Sequence, residues 1–408
     1  MFELKIKGNI FDPAKLSSAD YYEALMSTLF NQRTLTQKPD LMVQPKDVDD
    51  VIATVNYARS IGKKLSICSG GHSWSSNHMR DDSILLDMHY FNTFEINREA
   101  STVVAGPATD GGDLLKAAMK QNLFFPSGHC KGVAIGGYLL QGGFGWNSRK
   151  LGMACESVLG LDIVTADGDF IHASETENSD LYWAARGSGA GFFGVVVAYH
   201  LKLHPKPKYV RTMMHFYKME HLEGVFRWAA EIGPDVPAAA EFQILMTQQT
   251  ALFMGPGLEV MTPIFADSRD ELEETKKILN SCPIRDKAFL RVPCLPANMN
   301  LLYRGVMTHY PHDHCYDVDN MWTDASIDEL MPHLIEMGRT IPSAPTHMLW
   351  LNWFPPKNRP DMAFSMEDNI YIALYNIYKG RDHSAERKLW ATNSIRKMEH
   401  LSSGIQLA

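Results

Sequence analysis

Three glycine-rich stretches lie in the first half of the sequence: one around residue 70, one from Gly128 to Gly145, and one from Gly187 to Gly194. Glycine lets backbone N–H groups approach an anion closely and tolerates positive φ angles. One such loop is common in any β-rich domain. Three of them, each beside a segment with strand character, favour a cradle around a phosphate-bearing ligand.

The standard nucleotide-binding fingerprints are absent from these stretches. No GxxxxGK[ST] pattern occurs, which argues against a P-loop. In the third stretch Gly187-Ser188-Gly189 is followed by Ala190-Gly191-Phe192, where a dinucleotide fingerprint requires its third glycine. The cradle is therefore predicted to be neither a P-loop nor a Rossmann fold.

The remaining sequence predicts mixed helices and strands in two domains. Apolar residues at three- and four-residue spacing predict a helix over 48–62, and an Asp-Gly turn at 167–168 predicts a hairpin. Glycine density falls after the polar, proline-containing stretch Pro205-Lys206-Pro207-Lys208, so we place a domain boundary there. The predicted domains are residues 1–205 and 206–408.

Composition and the first residues of the chain limit the kinds of partner and the cellular location that we expect. Lys and Arg total 39 against 47 Asp and Glu, a net charge of −8, which argues against a nucleic-acid partner. No apolar run reaches the roughly 18 residues of a membrane span, so we expect no membrane partner either. The first seven residues alternate apolar and charged types, unlike a signal peptide, and a cytoplasmic location is expected. Six sparse cysteines are read as free thiols. The oligomeric state is left open.

Three motifs resemble those of FAD-linked oxidases of the vanillyl-alcohol-oxidase type, most nearly the berberine-bridge-enzyme-like branch. They are Ser69-Gly70-Gly71-His72-Ser73-Trp74, the stretch from Pro126 to Trp146, and the stretch from Asp180 to Val196, in the order that the family has them. The resemblance implies an α+β fold: a two-lobed FAD-binding domain of the PCMH type, and an α+β substrate domain whose antiparallel sheet covers the isoalloxazine ring.

The resemblance also implies a cofactor and how it is held. His72 and Cys130 occupy the positions that, in this branch, are bonded to the flavin 8α-methyl carbon and to flavin C6, which implies bicovalently attached FAD. The alternatives are a hydrogen-bonded turn histidine and a small buried cysteine. The other expected cofactor-binding residues surround the pyrophosphate or lie against the adenine. They are Ser69, Gly70, Gly71, Ser73, Gly132, Val133, Gly136, Gly137, Gly142, Gly143, Val195 and Val196.

The implied activity is oxidation of an alcohol or amine carbon, with O2 or another acceptor recovering the electrons. Two aromatic strands in the second domain favour a small-molecule substrate with a flat ring, such as a sugar, an aromatic alcohol or an alkaloid-like amine. Strand alternation puts Tyr371 and Tyr375 on one face of one strand, and Trp350 and Asn352 on one face of another. Tyr375 is the first choice for the catalytic base, followed by Tyr371 and Asn352. The alternative is that these side chains are core.

Other interpretations remain open at this point. The chain could be a dehydrogenase that uses another acceptor, a non-catalytic flavoprotein, or a metal-binding protein through the run from His309 to Cys315. His312 and His314 would point to opposite sides of an extended segment, so we prefer a loop and assign no metal ligand. Family chains usually continue a few dozen residues past the segment resembling 401–408. Because the sequence stops at Ala408, we expect the segment that returns to the FAD-binding domain to be missing, either because the chain is truncated or because this member lacks it, which leaves the active-site lid open.

Overall fold

The computed structural model describes residues 4–250, 255–380 and 385–406. Helices and mainly antiparallel sheets alternate along the chain, which confirms the α+β prediction. In the first half the strands are β1 (Asn9–Phe11), β2 (Leu41–Gln44), β3 (Lys64–Cys68), β4 (Ser83–Asp87), β5 (Phe94–Asn97), β6 (Thr102–Ala105), β7 (Leu123–Phe124), β8 (Val158–Val164), β9 (Phe170–Ser174), β10 (Val195–Lys202) and β11 (His204–Pro205).

The second half contributes longer strands. They are β12 (Tyr209–Lys218), β13 (Gln243–Thr247), β14 (Gly257–Ala266), β15 (Leu290–Pro296), β16 (Cys315–Thr323), β17 (His347–Asn352) and β18 (Ile370–Tyr378). The helices are α1 (Ser18–Met26), α2 (Val48–Ser60), α3 (Gly111–Lys120), α4 (Ile135–Leu140), α5 (Ser148–Leu151), α6 (Ser179–Ala185), α7 (Leu222–Ile232), α8 (Arg269–Leu279), α9 (Met299–Met307), α10 (Ile327–Thr340), α11 (Ala385–Lys388) and α12 (Trp390–Arg396). No helix within the described ranges is long and apolar enough to cross a membrane.

A small first lobe is built on the sheet β1-β2-β4-β3, in which β2 and β3 both run parallel to β4. Strands that run in the same direction need a crossover connection, and α2 provides it between β2 and β3, which lie on either side of β4. The side chain of Asp47 caps α2 by accepting from the N–H of Asp50. The apolar stripe Val51, Val55 and Ala58 then packs into the core under the sheet.

A second lobe is built on the antiparallel sheet β5-β6-β10-β8-β9. The predicted Asp-Gly hairpin is the β8–β9 pair, in which Val164 faces Phe170. The short ladder of β7 with β11 brings the chain to Pro205, and β12 begins at Tyr209. The predicted domain boundary therefore lies in the connection between β11 and β12.

The rest of the chain forms a seven-stranded antiparallel sheet in the order β15-β12-β14-β13-β17-β18-β16. Alternation along β18 separates its two faces. Ile370, Ile372 and Leu374 enter the core shared with helices α7, α8, α10 and α12. Tyr371 and Tyr375 enter a second cluster with side chains of the first half of the chain. The sheet therefore has one face covered by helices and one face turned towards the two lobes.

Buried polar side chains fasten the two lobes to this sheet. Arg149 in α5 donates from Nε to the Trp353 carbonyl (2.6 Å), and from its two terminal nitrogens to the carbonyls of Ala240 (2.6 Å), Pro237 and Val236 (both 3.1 Å). The guanidinium thus donates to four backbone carbonyls at a buried contact, of which Pro237 also accepts from the N–H of Ala240.

We predict that Arg149→Met lowers the free energy of unfolding by more than about 3 kcal/mol, because buried carbonyls lose their donors. Arg149→Lys should recover only part of this, since an ammonium cannot span four acceptors. Arg59→Met is the matched control: this exposed Arg pairs with Asp167 at 3.1 Å, and its loss should cost under about 1 kcal/mol. Urea titration measures all three variants. Equal losses at residues 149 and 59 would contradict the role of Arg149.

Candidate active site

A cleft of about 550 Å³ is lined by all three glycine-rich stretches and by two residues of the second half, Tyr371 and Gln406. Its volume falls within the range of ligand and cofactor sites, about 300–1,000 Å³. The first stretch contributes the loop after β3, the second α4 and the loop before it, and the third the turn Gly189–Gly191. The prediction that these stretches surround one site is confirmed by the geometry.

The loop after β3 requires glycine at residue 71. Its φ is +68°, and a Cβ there would lie 1.8 Å from the carbonyl oxygen of Thr28. A second close approach occurs at Gly136, where a Cβ would lie 2.3 Å from Ser69 Oγ. The first loop and α4 therefore approach each other closely, which leaves little side-chain bulk along the cleft.

His72 follows this turn and lies in the cleft. Its ring stacks on Phe30 with centroids 4.6 Å apart and planes at 21°. Burial lowers the pKa of His72 to about 4, and nearby His312 contributes to the decrease, while a hydrogen bond with the backbone of Gly132 opposes it. The imidazole is therefore neutral at pH 7 and has a free nucleophilic lone pair.

Cys130 lies in the same cleft and packs beside the aromatic cluster of the sheet. Burial raises the pKa of its thiol to about 12. A negative charge on the Cys130 sulfur would raise the pKa of Tyr375, because the two side chains lie close together. Cys130 is thus a neutral thiol between the glycine-rich cradle and the sheet.

Tyr375 packs in the aromatic cluster with Tyr371 and Tyr310 rather than lining the cleft itself, and its ring stands edge-on to Tyr310 with centroids 5.0 Å apart and planes at 89°. Burial raises the pKa of Tyr375 to about 12, but interaction with the two neighbouring hydroxyls lowers it, whereas the pKa values of Tyr371 and Tyr310 are raised well above 10. Its ring also stacks on buried His347, with centroids 4.9 Å apart and planes at 24°. Tyr375 is therefore the member of the trio whose anion is best stabilised.

The third candidate base, Asn352, is wrong. It shares a face of β17 with Trp350, as predicted, but this is the helix-covered face. Asn352 Oδ1 accepts from Trp350 Nε1 at 2.7 Å, and its Nδ2 donates to the Ala229 carbonyl of α7 at 2.7 Å. The alternation of side chains along β17 therefore places the Asn352 amide on the opposite side of the sheet from Tyr371.

Most of the predicted cofactor-binding residues line the cleft. Those present, besides His72 and Cys130, are Ser69, Gly70, Gly71, Ser73, Val133, Gly136, Gly137, Gly143 and Val196. Three do not line it. Val195 alternates to the other face of β10 and packs in the core of the first lobe. Gly142 faces Phe364 of the second half, and Gly132 lies behind His72.

A carboxylate that sequence reasoning missed holds the Cys130 loop. Glu241 is 3% exposed. One of its oxygens lies 2.9 Å from His129 Nε2, and the other accepts from the backbone N–H of Asn147. The signal for it was a lone charge in the apolar run Ala238-Ala239-Ala240-Glu241-Phe242. A buried carboxylate in an apolar segment must find polar partners. Its two partners, His129 and Asn147, lie before and after Cys130 in the sequence.

The run from His309 to Cys315 is dispersed in the structure. His309 Nε2 lies 3.6 Å from Glu259, the His312 ring lies against Phe30, and Cys315 Sγ donates to the Gln32 carbonyl. These donors do not converge on one point. Tyr310, which sequence reasoning had set aside with this loop, instead joins Tyr375.

The last described residues return to the cleft. Gly404 pairs with Trp322 of β16, and Gln406 Nε2 donates to the Gln141 carbonyl at 3.1 Å. Gln406 therefore lines the cleft from the side of the sheet.

Comparison with known proteins agrees with this geometry. Residues 39–174 match the family model described as FAD binding domain. The chain is 30% identical over 380 residues to the FAD-linked oxidoreductase ptmO of Penicillium ochrochloron, covering 93% of this chain and 84% of that protein. It is 34% identical over 196 residues to (R)-6-hydroxynicotine oxidase of Paenarthrobacter nicotinovorans, covering 48% of this chain and 40% of that protein.

Solved structures show the same fold. The 6-hydroxy-D-nicotine oxidase of Arthrobacter nicotinovorans superposes with a TM-score of 0.85 at 20% identity, covering 99% of this chain and 89% of that one. The berberine-bridge-enzyme-like protein 1 of Physcomitrella patens superposes with a TM-score of 0.82 at 21% identity, covering 97% and 87%.

We predict that Gly71→Ala abolishes flavin incorporation, because the new Cβ would collide with the Thr28 carbonyl and displace the loop that presents His72. Gly62→Ala is the matched control: its φ is also +68°, but nothing lies within 4 Å of its Cβ. Both substitutions carry the left-handed strain of about 1–2 kcal/mol. The ratio of flavin to protein absorbance measures the difference, and a fully loaded Gly71→Ala protein would contradict the close approach.

Proposed function

Because the chain belongs to the FAD-linked oxidoreductases, we propose that it is an oxidase that removes hydride from an alcohol or amine carbon, with FAD attached through both His72 and Cys130. One observation carries the proposal: the neutral His72, the thiol of Cys130 and Tyr371 line a single cleft, and Tyr375 belongs to the aromatic cluster against which Cys130 packs.

The cleft fits FAD in its shape and chemistry. Its glycine-rich walls present backbone N–H groups, which suit a pyrophosphate in the absence of a P-loop lysine. Positions 71 and 136 have no room for a Cβ, so the backbone itself forms the wall. Ser69, Ser73 and the main chain of α4 and its preceding loop would hold the pyrophosphate, and Val196 would lie against the adenine side.

Two features support the covalent attachment. His72 is an uncharged imidazole fixed by stacking on Phe30, so its ring needs no deprotonation before it forms a bond. Cys130 lines the same cleft and packs against the aromatic face of the sheet, with its loop held by Glu241. Burial raises the pKa of its thiol, so Cys130 would be a neutral thiol beside the flavin that it would hold.

When bound, FAD supplies a hydride acceptor at N5. The chain would supply the proton acceptor: Tyr375 Oη would take the proton from the substrate O–H or N–H, and the neighbouring hydroxyls of Tyr371 and Tyr310 would donate to that oxygen and stabilise its charge. Trp74, Phe144 and Trp353 belong to the same cluster and exclude water around it. An aromatic surface of this kind favours a flat, ring-bearing substrate.

Oxygen as the acceptor is supported by relatives named as oxidases. The second candidate is a dehydrogenase that uses another acceptor. It is favoured by the name of one structural neighbour, a variant of berberine bridge enzyme described as a reticuline dehydrogenase. A cytoplasmic location stays a prediction.

We predict that the yellow colour of the purified protein stays with the polypeptide after acid precipitation. Cys130→Ala should keep flavin bound through His72, and the double variant with His72→Ala should release all of it, because no bond remains. Flavin fluorescence of denatured bands measures the attachment. Release of flavin from the wild type would refute the linkage, and retention by the double variant would refute both assignments.

We predict that Tyr375→Phe slows anaerobic flavin reduction about 10²–10⁴-fold, the usual contribution of a general base. Tyr371→Phe should slow it only about tenfold, because one hydrogen bond to the anion is lost. Stopped-flow bleaching of the flavin with sugars, aromatic alcohols and amines gives the rates and the substrate.

The pH dependence separates a base from a merely structural tyrosine. With a pKa of about 12 for Tyr375, the deprotonated fraction rises with pH throughout the working range, so the rate of reduction should rise about tenfold per pH unit from pH 7 to about 10. Tyr375→Phe should flatten the profile. A slow Tyr375→Phe variant that keeps the wild-type slope would assign the base to another group.

We predict that the reduced wild-type protein reoxidises within seconds of mixing with air-saturated buffer. Reduced flavin that persists in air, yet reoxidises with a quinone or a dye, would assign the chain to the dehydrogenases instead. This result would leave the roles of His72, Cys130 and Tyr375 intact.

A further inference from the structure

Away from the cleft, two histidines and an aspartate converge on the outer face of the five-stranded sheet. They are Asp162 in β8, His172 in β9 and His200 in β10, three strands that are neighbours in the sheet. Among the residues that the structure describes, these three form a group of His, Cys, Asp or Glu side chains in which all the ligand atoms lie within 4.8 Å of one another.

Both imidazoles approach the same carboxylate, each through one nitrogen. His172 Nδ1 lies 2.7 Å from Asp162 Oδ1, and His200 Nε2 lies 3.0 Å from Asp162 Oδ2. The rings are 5.1 Å apart, with planes at 82°. The two nitrogens and the carboxylate oxygens therefore face a common point rather than lying side by side.

The strand register produces this arrangement. Asp162 and His172 are directly paired across β8 and β9, and His200 is paired with Gly160, two residues before Asp162 on the same face. A Cβ at residue 160 would lie 2.9 Å from His172 Nε2, so only glycine leaves room for that ring. The opposite face of these strands is apolar core, which includes Leu161 and Tyr199.

We propose that Asp162, His172 and His200 form a zinc site. Two imidazoles and one carboxylate are a common ligand set for Zn²⁺, with water in the fourth position. Ligand atoms around a tetrahedral zinc at about 2.0–2.1 Å lie about 3.3 Å apart, so the two contacts observed need to open by only a few tenths of an ångström. The side chains are 24–39% exposed, which allows both the metal and the water to enter.

The expected consequence is structural. β9 is the edge strand of its sheet, and a zinc ion on these ligands would tie it to both β8 and β10. Because the ligands are brought together only by folding, metal binding stabilises the folded state. The site lies on a different face from the cofactor cleft, so flavin content and flavin reduction should not depend on zinc.

The test uses the flavin-loaded protein, stripped with EDTA and dialysed against micromolar ZnCl2. The wild type should retain one zinc per chain and show a saturable rise in Tm by circular dichroism, measured against its own EDTA value. His172→Ala and His200→Ala should lose both the bound zinc and the rise, and Asp162→Asn should weaken both. His221→Ala is the matched control, because His221 also lies beside a carboxylate, Glu220, at 3.6 Å, and should behave as the wild type.

Wild-type protein that retains no zinc would overturn the proposal and leave a hydrogen-bonded His–Asp–His cluster. Zinc uptake that the His172 and His200 variants do not reduce would overturn it as well, as adventitious binding. If one histidine variant fails to incorporate flavin or to fold, the other and Asp162→Asn decide the outcome.

Discussion

The site depends on the contact between the aromatic face of the seven-stranded sheet and the glycine-rich cradle. The side chains that meet there are mainly apolar, but buried polar groups fix how the two surfaces are aligned. Arg149 donates to four carbonyls of the second half. Asn31 donates to the carbonyls of Trp74 and Tyr316 and accepts from the N–H of Tyr316. Such groups are costly if mispaired, so they permit one docked arrangement and oppose sliding.

The consequence for chemistry is that the two halves of the molecule together position the reacting side chains. The loop of Cys130 is held by Glu241, which begins the run into β13. Tyr375 is placed by β18 and tuned by Tyr310, which follows α9. The cradle alone would bind a nucleotide, and the sheet alone would be a stack of aromatic side chains. The proposed proton acceptor and the proposed flavin attachment points exist together only at their contact.

The sequence alone predicted the glycine-rich loops and which residues of a strand share a face. It did not predict the contacts between residues that are far apart in the chain. Glycine clustering located all three loops because a backbone that takes positive φ angles, as at Gly71, requires glycine in the local sequence. Alternation placed Tyr371 and Tyr375 on one face correctly. It could not say which face of β17 would meet the helices, and so Asn352 was misplaced. Arg149, Asn31 and Glu241 have no local motif, since their partners are 43–285 residues away. The proposed zinc ligands His172 and His200 are 10 and 38 residues from Asp162, so no local motif marks them either.

The most direct test of the central claim is mass spectrometry of the flavin peptides after trypsin digestion. Cleavage after Lys64 and Arg80 releases residues 65–80, which contain His72, and cleavage after Lys120 and Lys131 releases residues 121–131, which contain Cys130. The account predicts one yellow species in which a single flavin joins these two peptides. Flavin found free, or on one peptide while the other is unmodified, would contradict the claim that both side chains hold the cofactor.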